Sequence, residues 1–222
     1  MPEKNDATVD VHNSLLKAMA ELVELRDDVT GGHIERTQRY LSILFLEMQE
    51  RGIYSEETSK WEGDIATLLR SSQLHDIGKI AVRDCVLLKP GKLTEEEFEQ
   101  IKTHALEGEK FLEKIQKDAN GQICLEYARI FAGYHHEKWD GSGYPRGLKG
   151  ENIPLLGRLM AIVDVYDALV VERPYKKAFP HEEAVKIIKE GSGTHFDPIL
   201  VDLFLDISEV FEAILALHAE GK

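Results

Sequence analysis

The sequence predicts an all-α fold. Three observations carry that prediction. Apolar residues recur at helical spacing in one segment after another, helix-start signals stand where several of those segments begin, and the alternation of a half-buried strand is scarce. In chain order, Leu15, Met19 and Leu22 fall at i, i+4 and i+7 and mark one apolar face of an opening helix. Ile34, Leu41, Leu44, Phe45 and Met48 repeat the pattern in the next segment, which Arg51-Gly52 ends. Trp61, Ile65, Leu68 and Leu69 lead towards His75. After the turn-rich Lys89-Pro90-Gly91-Lys92, Thr94-Glu95-Glu96-Glu97 reads as a capping box, in which the Thr94 hydroxyl accepts from the Glu97 amide and the Glu97 carboxylate reaches back. The helix it opens carries Phe98, Ile101, Phe111 and Ile115. A further helix spans about 123–135, and a Gly-rich, aromatic loop occupies 138–151. Ile162, Val163, Tyr166 and Leu169 lie on the helix after it, and Asp197-Pro198, an N-cap followed by proline at the first helical position, opens a C-terminal helix with Val201, Phe204 and Leu205. Residues 1–25 are read as an N-terminal helix or linker and residues 26–222 as one domain.

The composition is that of an ordinary globular protein, with 43% apolar and 30% charged residues among 222. A formal net charge of -13 disfavours binding along a phosphate backbone, so a nucleic-acid polymer is not an expected partner. Any phosphate-bearing substrate must meet local cations that override this field. Cys85 and Cys124 lie in no metal-type spacing and are read as buried thiols of a reducing cytoplasm. The N-terminal stretch lacks the apolar core of a signal peptide, and no apolar run approaches the ~20 residues of a membrane span.

The chemistry lies in the nine histidines and their neighbours. His75-Asp76 stands after an apolar segment, where an imidazole and an adjacent carboxylate can share a cation and the second carboxylate oxygen can bridge to another. Gly78 lets the backbone bend close to that pair, and Lys79 adds a cation. His33 follows Thr30-Gly31-Gly32, His104 falls on the apolar side of its helix, and His135-His136 ends a helix just before the glycine-rich loop. Asp164 lies among apolar residues, where an unpaired carboxylate is costly, and Asp167 follows one turn later as an orienting group or a partner for a nearby base. Each has a plainer reading: a surface pair, a cap, a core histidine with one hydrogen bond. Five histidines and two aspartates at helical faces are explained together by one metal centre.

The order His33, His75-Asp76, Asp164 resembles the H…HD…D signature of the HD phosphohydrolase superfamily. His135-His136-Glu137-Lys138-Trp139-Asp140-Gly141-Ser142-Gly143-Tyr144-Pro145 is similar to the HHExxDGxGYP hallmark of its HD-GYP subfamily. Arg26 to His33 and Gly193-Thr194-His195-Phe196-Asp197-Pro198 agree with it, so the likeness covers roughly 26–205. The resemblance implies an HD-domain helical bundle with an HD-GYP-type extension that hydrolyses cyclic di-GMP to linear pGpG and on to GMP, through a hydroxide activated by two divalent metals, Fe or Mn, with Ni also suited. Carried over, one metal falls to His33, His75, Asp76 and Asp164, and the other to His104, His135 and His136 with Asp76 shared. Asp76 and Lys79 are the catalytic pair. Lys79, Gly143, Tyr144, Pro145, Arg173 and Lys176 contact substrate. Family members with a third metal place a carboxylate four residues before the first histidine; Val29 stands there, so two metals are expected. The resemblance leaves room for a receiver or sensor domain, for docking to a diguanylate cyclase and for a homodimer. Alternatives are action on another cyclic dinucleotide such as cyclic GMP-AMP, and a catalytically quiet nucleotide-sensing or docking module. Among the remaining residues, Glu137 is expected to orient a ligating imidazole, His195 to brace the Gly193 turn, and His12, His181 and His218 to be solvated.

Overall fold

The structure, a computed structural model, describes residues 3–27, 32–118, 122–172 and 177–220, with side chains in the terminal helices from residue 14 and up to residue 218. Ten α-helices follow one another among these residues: α1 (Glu3–Arg26), α2 (His33–Glu50), α3 (Ser55–Thr58), α4 (Ile65–Ser72), α5 (Asp84–Leu87), α6 (Glu95–Asp118), α7 (Ile123–Tyr134), α8 (Leu155–Val170), α9 (His181–Glu190) and α10 (Pro198–Glu220). Two 3-10 turns, Ile77–Ala81 and Gly150–Asn152, interrupt them. No strand forms among the described residues beyond the isolated bridges Asp140 to Lys149 and Ser192 to Phe196. The all-α expectation holds.

The start signals work as local chemistry predicts. Thr94 Oγ1 accepts from Glu97 N at 3.2 Å while Glu97 Oε2 accepts from Thr94 N at 2.7 Å, so α6 begins on a reciprocal capping box. Asp64 caps α4 by accepting from Thr67 N at 2.7 Å, and Asp197 Oδ1 accepts from Ile199 N at 2.9 Å at the head of α10. α9 was not anticipated from periodicity; Pro180, directly before its first residue, is the signal that marks it.

Two apolar clusters organise the helices. The larger joins α2, α8, α9 and α10, with Tyr40 stacked on Phe211 at 4.7 Å and Tyr166 edge-on to both. The smaller contains Ala20, Val23, Ile34, Leu74, Ile77 and Leu112 and lies behind the segment that carries His75 and Asp76. Here two expected faces are corrected. α1 buries Ala20 and Val23, with Leu16 and Met19 packed beside them, whereas Leu15 and Leu22 face outward. α6 buries His104, Ala105, Gly108 and Leu112, and leaves Phe98 and Phe111 largely exposed. In both helices two apolar stripes overlap, and in α6 the buried one is that whose small residues, Ala105 and Gly108, let its neighbours approach. The cysteine expectation also fails: Cys85 is exposed and Cys124 half-buried.

One buried ion network ties the larger cluster together. Arg158 donates to both Glu57 carboxylate oxygens at 2.9 and 3.0 Å, to Asp197 Oδ2 at 2.9 Å and to the Ile153 carbonyl at 2.9 Å. Truncating it leaves Asp197, which is 1% exposed, with an unneutralised charge. Arg158→Ala is therefore expected to cost about 3–5 kcal/mol in denaturant unfolding. A loss below 1 kcal/mol would contradict this account.

Candidate metal centre

The seven residues expected to meet do meet. The ligand atoms of His33, His75 and Asp164 lie within 4.8 Å of one another, and those of Asp76, His104, His135 and His136 form a second such group. Asp76 joins the two. Its Oδ2 lies 3.4 Å from His75 Nε2, while Oδ1 lies 3.4 Å from His104 Nε2 and 3.7 Å from His135 Nε2. Asp164 Oδ1 is 3.7 Å from His33 Nε2 and 4.0 Å from His75 Nε2.

The ring nitrogens facing away decide what this cluster can hold. His75 Nδ1 lies 2.9 Å from the Ser72 carbonyl, His104 Nδ1 2.7 Å from the Ile101 carbonyl and His135 Nδ1 2.9 Å from the Phe131 carbonyl. His33 Nδ1 lies 2.8 Å from Asp167 Oδ2. These partners only accept, so each neutral ring carries its proton on Nδ1 and presents a bare lone pair at Nε2. Those lone pairs face one another, at 3.3 Å between His33 and His75 and 3.4 Å between His104 and His135. Such pairs repel unless a cation lies between them. Imidazole nitrogens ~2.1 Å from a shared ion stand ~3.0–3.4 Å apart at right-angled to tetrahedral geometry. The donor set thus fits a divalent cation.

Burial works against a charge on His75, but the Asp76 and Asp164 carboxylates outweigh it and raise its pKa, so a metal ion at its Nε2 competes with a proton. Burial opposes the charge on Asp76, yet Lys79 and His75 hold its pKa well below the usual carboxylate range. Burial pushes His104 down to about 4 and His136 well below its ordinary value, which keeps both rings neutral and able to ligate. Asp167 is also held low against its burial, by His33 and by Arg36, whose Nε donates to Oδ1 at 2.6 Å and Nη2 to Oδ2 at 3.0 Å. Asp167 therefore both orients an imidazole and partners a base.

The backbone explains how residues 76 and 104 come together. A Cβ on Gly78 would lie 1.9 Å from the His104 carbonyl oxygen and 2.5 Å from Gly108 N, so the 3-10 turn rests directly on α6. Arg26, the last residue of α1, grips the same turn. Its Nη1 donates to the Lys79 carbonyl at 2.7 Å, its Nη2 to the Val82 carbonyl at 2.5 Å and its Nε to Asp84 Oδ1 at 2.9 Å. Lys79 Nζ lies between Asp76 Oδ2 at 2.7 Å and Asp27 Oδ2 at 2.6 Å. Burial works against that ammonium, but the two carboxylates raise its pKa and keep it charged beside the cluster. Neither Arg26 nor Asp27 was singled out as a site residue, because each partner lies more than fifty residues away.

The glycine-rich loop forms the rim. Tyr144 N donates to the His136 carbonyl at 3.1 Å, and the Tyr144 ring stacks on His136 at 4.6 Å. Gly143 is required there, since a Cβ would lie 2.2 Å from Lys138 N. Pro145 follows in the same turn, half-buried. Glu137 differs from expectation: its Oε1 accepts from Arg146 N at 2.8 Å and its Oε2 from Leu148 N at 2.9 Å, so it clamps the loop instead of an imidazole. His195 braces more than its own turn, because its carbonyl accepts from Trp139 N at 3.0 Å and joins the two loops. His181 and His218 are half-buried, where full solvation was expected. His181 Nδ1 lies 2.8 Å from the Tyr166 hydroxyl, and His218 Nε2 is buried 3.9 Å from Glu35. Val29, Arg173 and Lys176 lie outside the described residues, as does the side chain of His12.

Known proteins share this arrangement of sequence and fold. The chain is 47% identical to a probable cyclic di-GMP phosphodiesterase of Vibrio cholerae, over 96% of this chain and 48% of that protein. It is 37% identical to a 3'3'-cGAMP-specific phosphodiesterase of the same organism, over 91% of this chain and 36% of that one. The chain thus spans about half the length, or less, of these curated relatives. A HDG"Y"P protein from Bdellovibrio bacteriovorus has the same fold, with a TM-score of 0.58 at 17% identity over 93% of this chain and 66% of the other. No helix among the described residues is long and apolar enough to cross a membrane. The family model described as HD domain matches residues 17–200, which include every member of both ligand groups, and the chain belongs to that family.

Proposed function

We propose that this chain is a metal-dependent phosphodiesterase of the HD-GYP type that hydrolyses cyclic di-GMP to pGpG and onward to GMP. The observation that carries the reading is the Asp76 carboxylate, with one oxygen turned to His75 and the other to His104 and His135. In this reading His33, His75, Asp76 and Asp164 hold one divalent ion, and His104, His135, His136 and Asp76 hold a second. Imidazole and carboxylate donors suit Fe or Mn, and Ni as well. When bound, such ions supply Lewis acidity towards phosphoryl oxygens and an activated water at neutral pH.

The chain's own residues do the rest. Lys79, kept charged by Asp76 and Asp27, opposes negative charge that grows on the phosphoryl group. Tyr144, fixed by its stack on His136 and by the Gly143 turn, offers an aromatic wall for a nucleobase, with Pro145 beside it. Arg173 and Lys176 are assigned to the substrate phosphates on the hallmark resemblance alone. Local cations thereby offset the net charge of -13.

Cyclic GMP-AMP is the second substrate reading, favoured by the 37% identical relative; the 47% identical relative favours cyclic di-GMP. Product analysis with both dinucleotides, under anaerobic Fe(II) and under Mn(II), separates them. Faster linearisation of cyclic di-GMP is expected. Faster turnover of cyclic GMP-AMP overturns the substrate assignment, and a metal-loaded protein that leaves both intact overturns the enzyme assignment.

The Asp167 hydrogen bond gives a milder prediction. Asp167→Asn replaces an ionic acceptor for the His33 Nδ1 proton with a neutral amide and removes the charge that Arg36 neutralises. Metal affinity is expected to fall by about 10–100-fold in calorimetric titration. Unchanged affinity would show that His33 needs no orienting partner.

A further inference from the structure

The rim of the metal centre continues past Tyr144 onto α6, through two residues to which the proposed hydrolysis gives no part. Lys102 Nζ stands over the Tyr144 ring, 5.7 Å from its centroid, and over the Phe98 ring at 5.0 Å. Phe98 and Lys102 lie one turn apart on α6, the helix that also carries His104 of the second ligand group. The Tyr144 ring stacks on His136 at 4.6 Å and stands edge-on to His104 at 6.4 Å. An ammonium and two aromatic rings therefore border that ligand group where the glycine-rich loop meets α6. Phe98 is 47% exposed, so part of its ring is open to a ligand.

The chemistry of this corner selects its occupant. Aromatic faces accept any nucleobase, because every base has a π face. The ammonium discriminates. It only donates, and Glu99 Oε1 at 2.5 Å takes one of its three protons, so two remain. Glu99 is itself 68% exposed, and such a surface pair holds the ammonium weakly. Guanine turns two adjacent acceptors, O6 and N7, towards a donor of this kind. Adenine puts an amino group, itself a donor, in the place of O6. We infer that Lys102 is a specificity-determining residue, which reads the O6 and N7 edge of a guanine held against Tyr144 and Phe98. The inference rests on the cyclic dinucleotide phosphodiesterase reading and adds to it the group that chooses the base.

Steady-state hydrolysis of cyclic di-GMP and of cyclic di-AMP by the metal-loaded 222-residue chain tests it. Cyclic GMP-AMP can turn its one guanine towards Lys102, so cyclic di-AMP, which has none, is the cleaner comparison. The parent is expected to favour cyclic di-GMP in kcat/KM. Lys102→Met, which keeps the aliphatic stem, is expected to lose at least ~10-fold of that preference. Lys102→Arg, a donor to the same two acceptors, is expected to restore most of it. Phe98→Ala is expected to raise KM for both dinucleotides alike and to leave the preference unchanged. Bound metal and melting temperature should stay parental in all three variants, since neither side chain is buried. A preference that Lys102→Met leaves unaltered overturns the inference. So does an equal loss on both substrates, the mark of a phosphate contact in place of a base contact, or a parent that cleaves both without preference. A parent that cleaves neither overturns the phosphodiesterase reading, and the inference with it.

Discussion

Asp76→Ala is expected to abolish turnover, with a fall of more than ~1,000-fold, because losing a single charge-stabilising group at a reacting centre already costs ~100–1,000-fold. Asp76 is the only residue whose two side-chain oxygens face different ligand groups among those described, so one substitution opens both. Bound metal, counted in freshly purified protein, should fall with activity. Asp76→Asn sharpens the test. The amide keeps the size of the side chain, but its nitrogen offers no lone pair, so one group or the other is left short of a donor. The fold should tolerate both variants, since Lys79 keeps its second partner, Asp27, at 2.6 Å. Near-normal hydrolysis by Asp76→Ala with metal supplied would sink the two-metal assignment.

The sequence made the metal cluster legible because its members are expensive. Seven imidazoles and carboxylates on or beside apolar helical faces need a common reason, and each position could be read without knowing the fold. The helix starts at Thr94 and Asp197 were legible for the opposite reason, since their chemistry is complete within four residues. What escaped depends on which face turns inward. In α1 the stripes Leu15–Leu22–Leu25 and Leu16–Met19–Ala20–Val23 are both apolar and helical, and periodicity does not rank them. The domain takes the second, which packs with Ile34 of α2 and Ile77 of the 3-10 turn in the smaller apolar cluster. Arg26, Arg36 and Asp27 were out of reach as site residues because their partners, Lys79 and Asp167, are remote in sequence. Glu137 was misassigned for a related reason. Its place next to His136 suggested an imidazole partner, but the loop folds back and brings the amides of Arg146 and Leu148 to its carboxylate first.

Gly78→Ala is expected to be nearly as damaging as losing a ligand, although a methyl group is all it adds. The new Cβ would lie 1.9 Å from the His104 carbonyl oxygen, 2.5 Å from Gly108 N and 2.9 Å from Gly108 Cα. All three are backbone atoms of α6, so no side-chain rotation relieves the clash, and the 3-10 turn must lift off the helix. That motion carries Asp76 away from His104 and His135, which now lie 3.4 and 3.7 Å from its Oδ1. A shift of ~1 Å at a reacting centre can cost ~100-fold in rate, and overpacking adds about 1–3 kcal/mol of destabilisation. Gly108→Ala is the graded comparison. Its Cβ would meet Gly78 N at 3.0 Å and Gly78 Cα at 3.3 Å, a contact that small adjustments can absorb. Melting temperature, bound metal and turnover should therefore fall in the order parent, Gly108→Ala, Gly78→Ala, with metal lost from the His104 group before the His33 group. A Gly78→Ala protein with parental stability and activity would mean that the turn does not depend on its close contact with α6. The position of Asp76 would then need another cause, and the grip of Arg26 on the Lys79 and Val82 carbonyls would be the next to test.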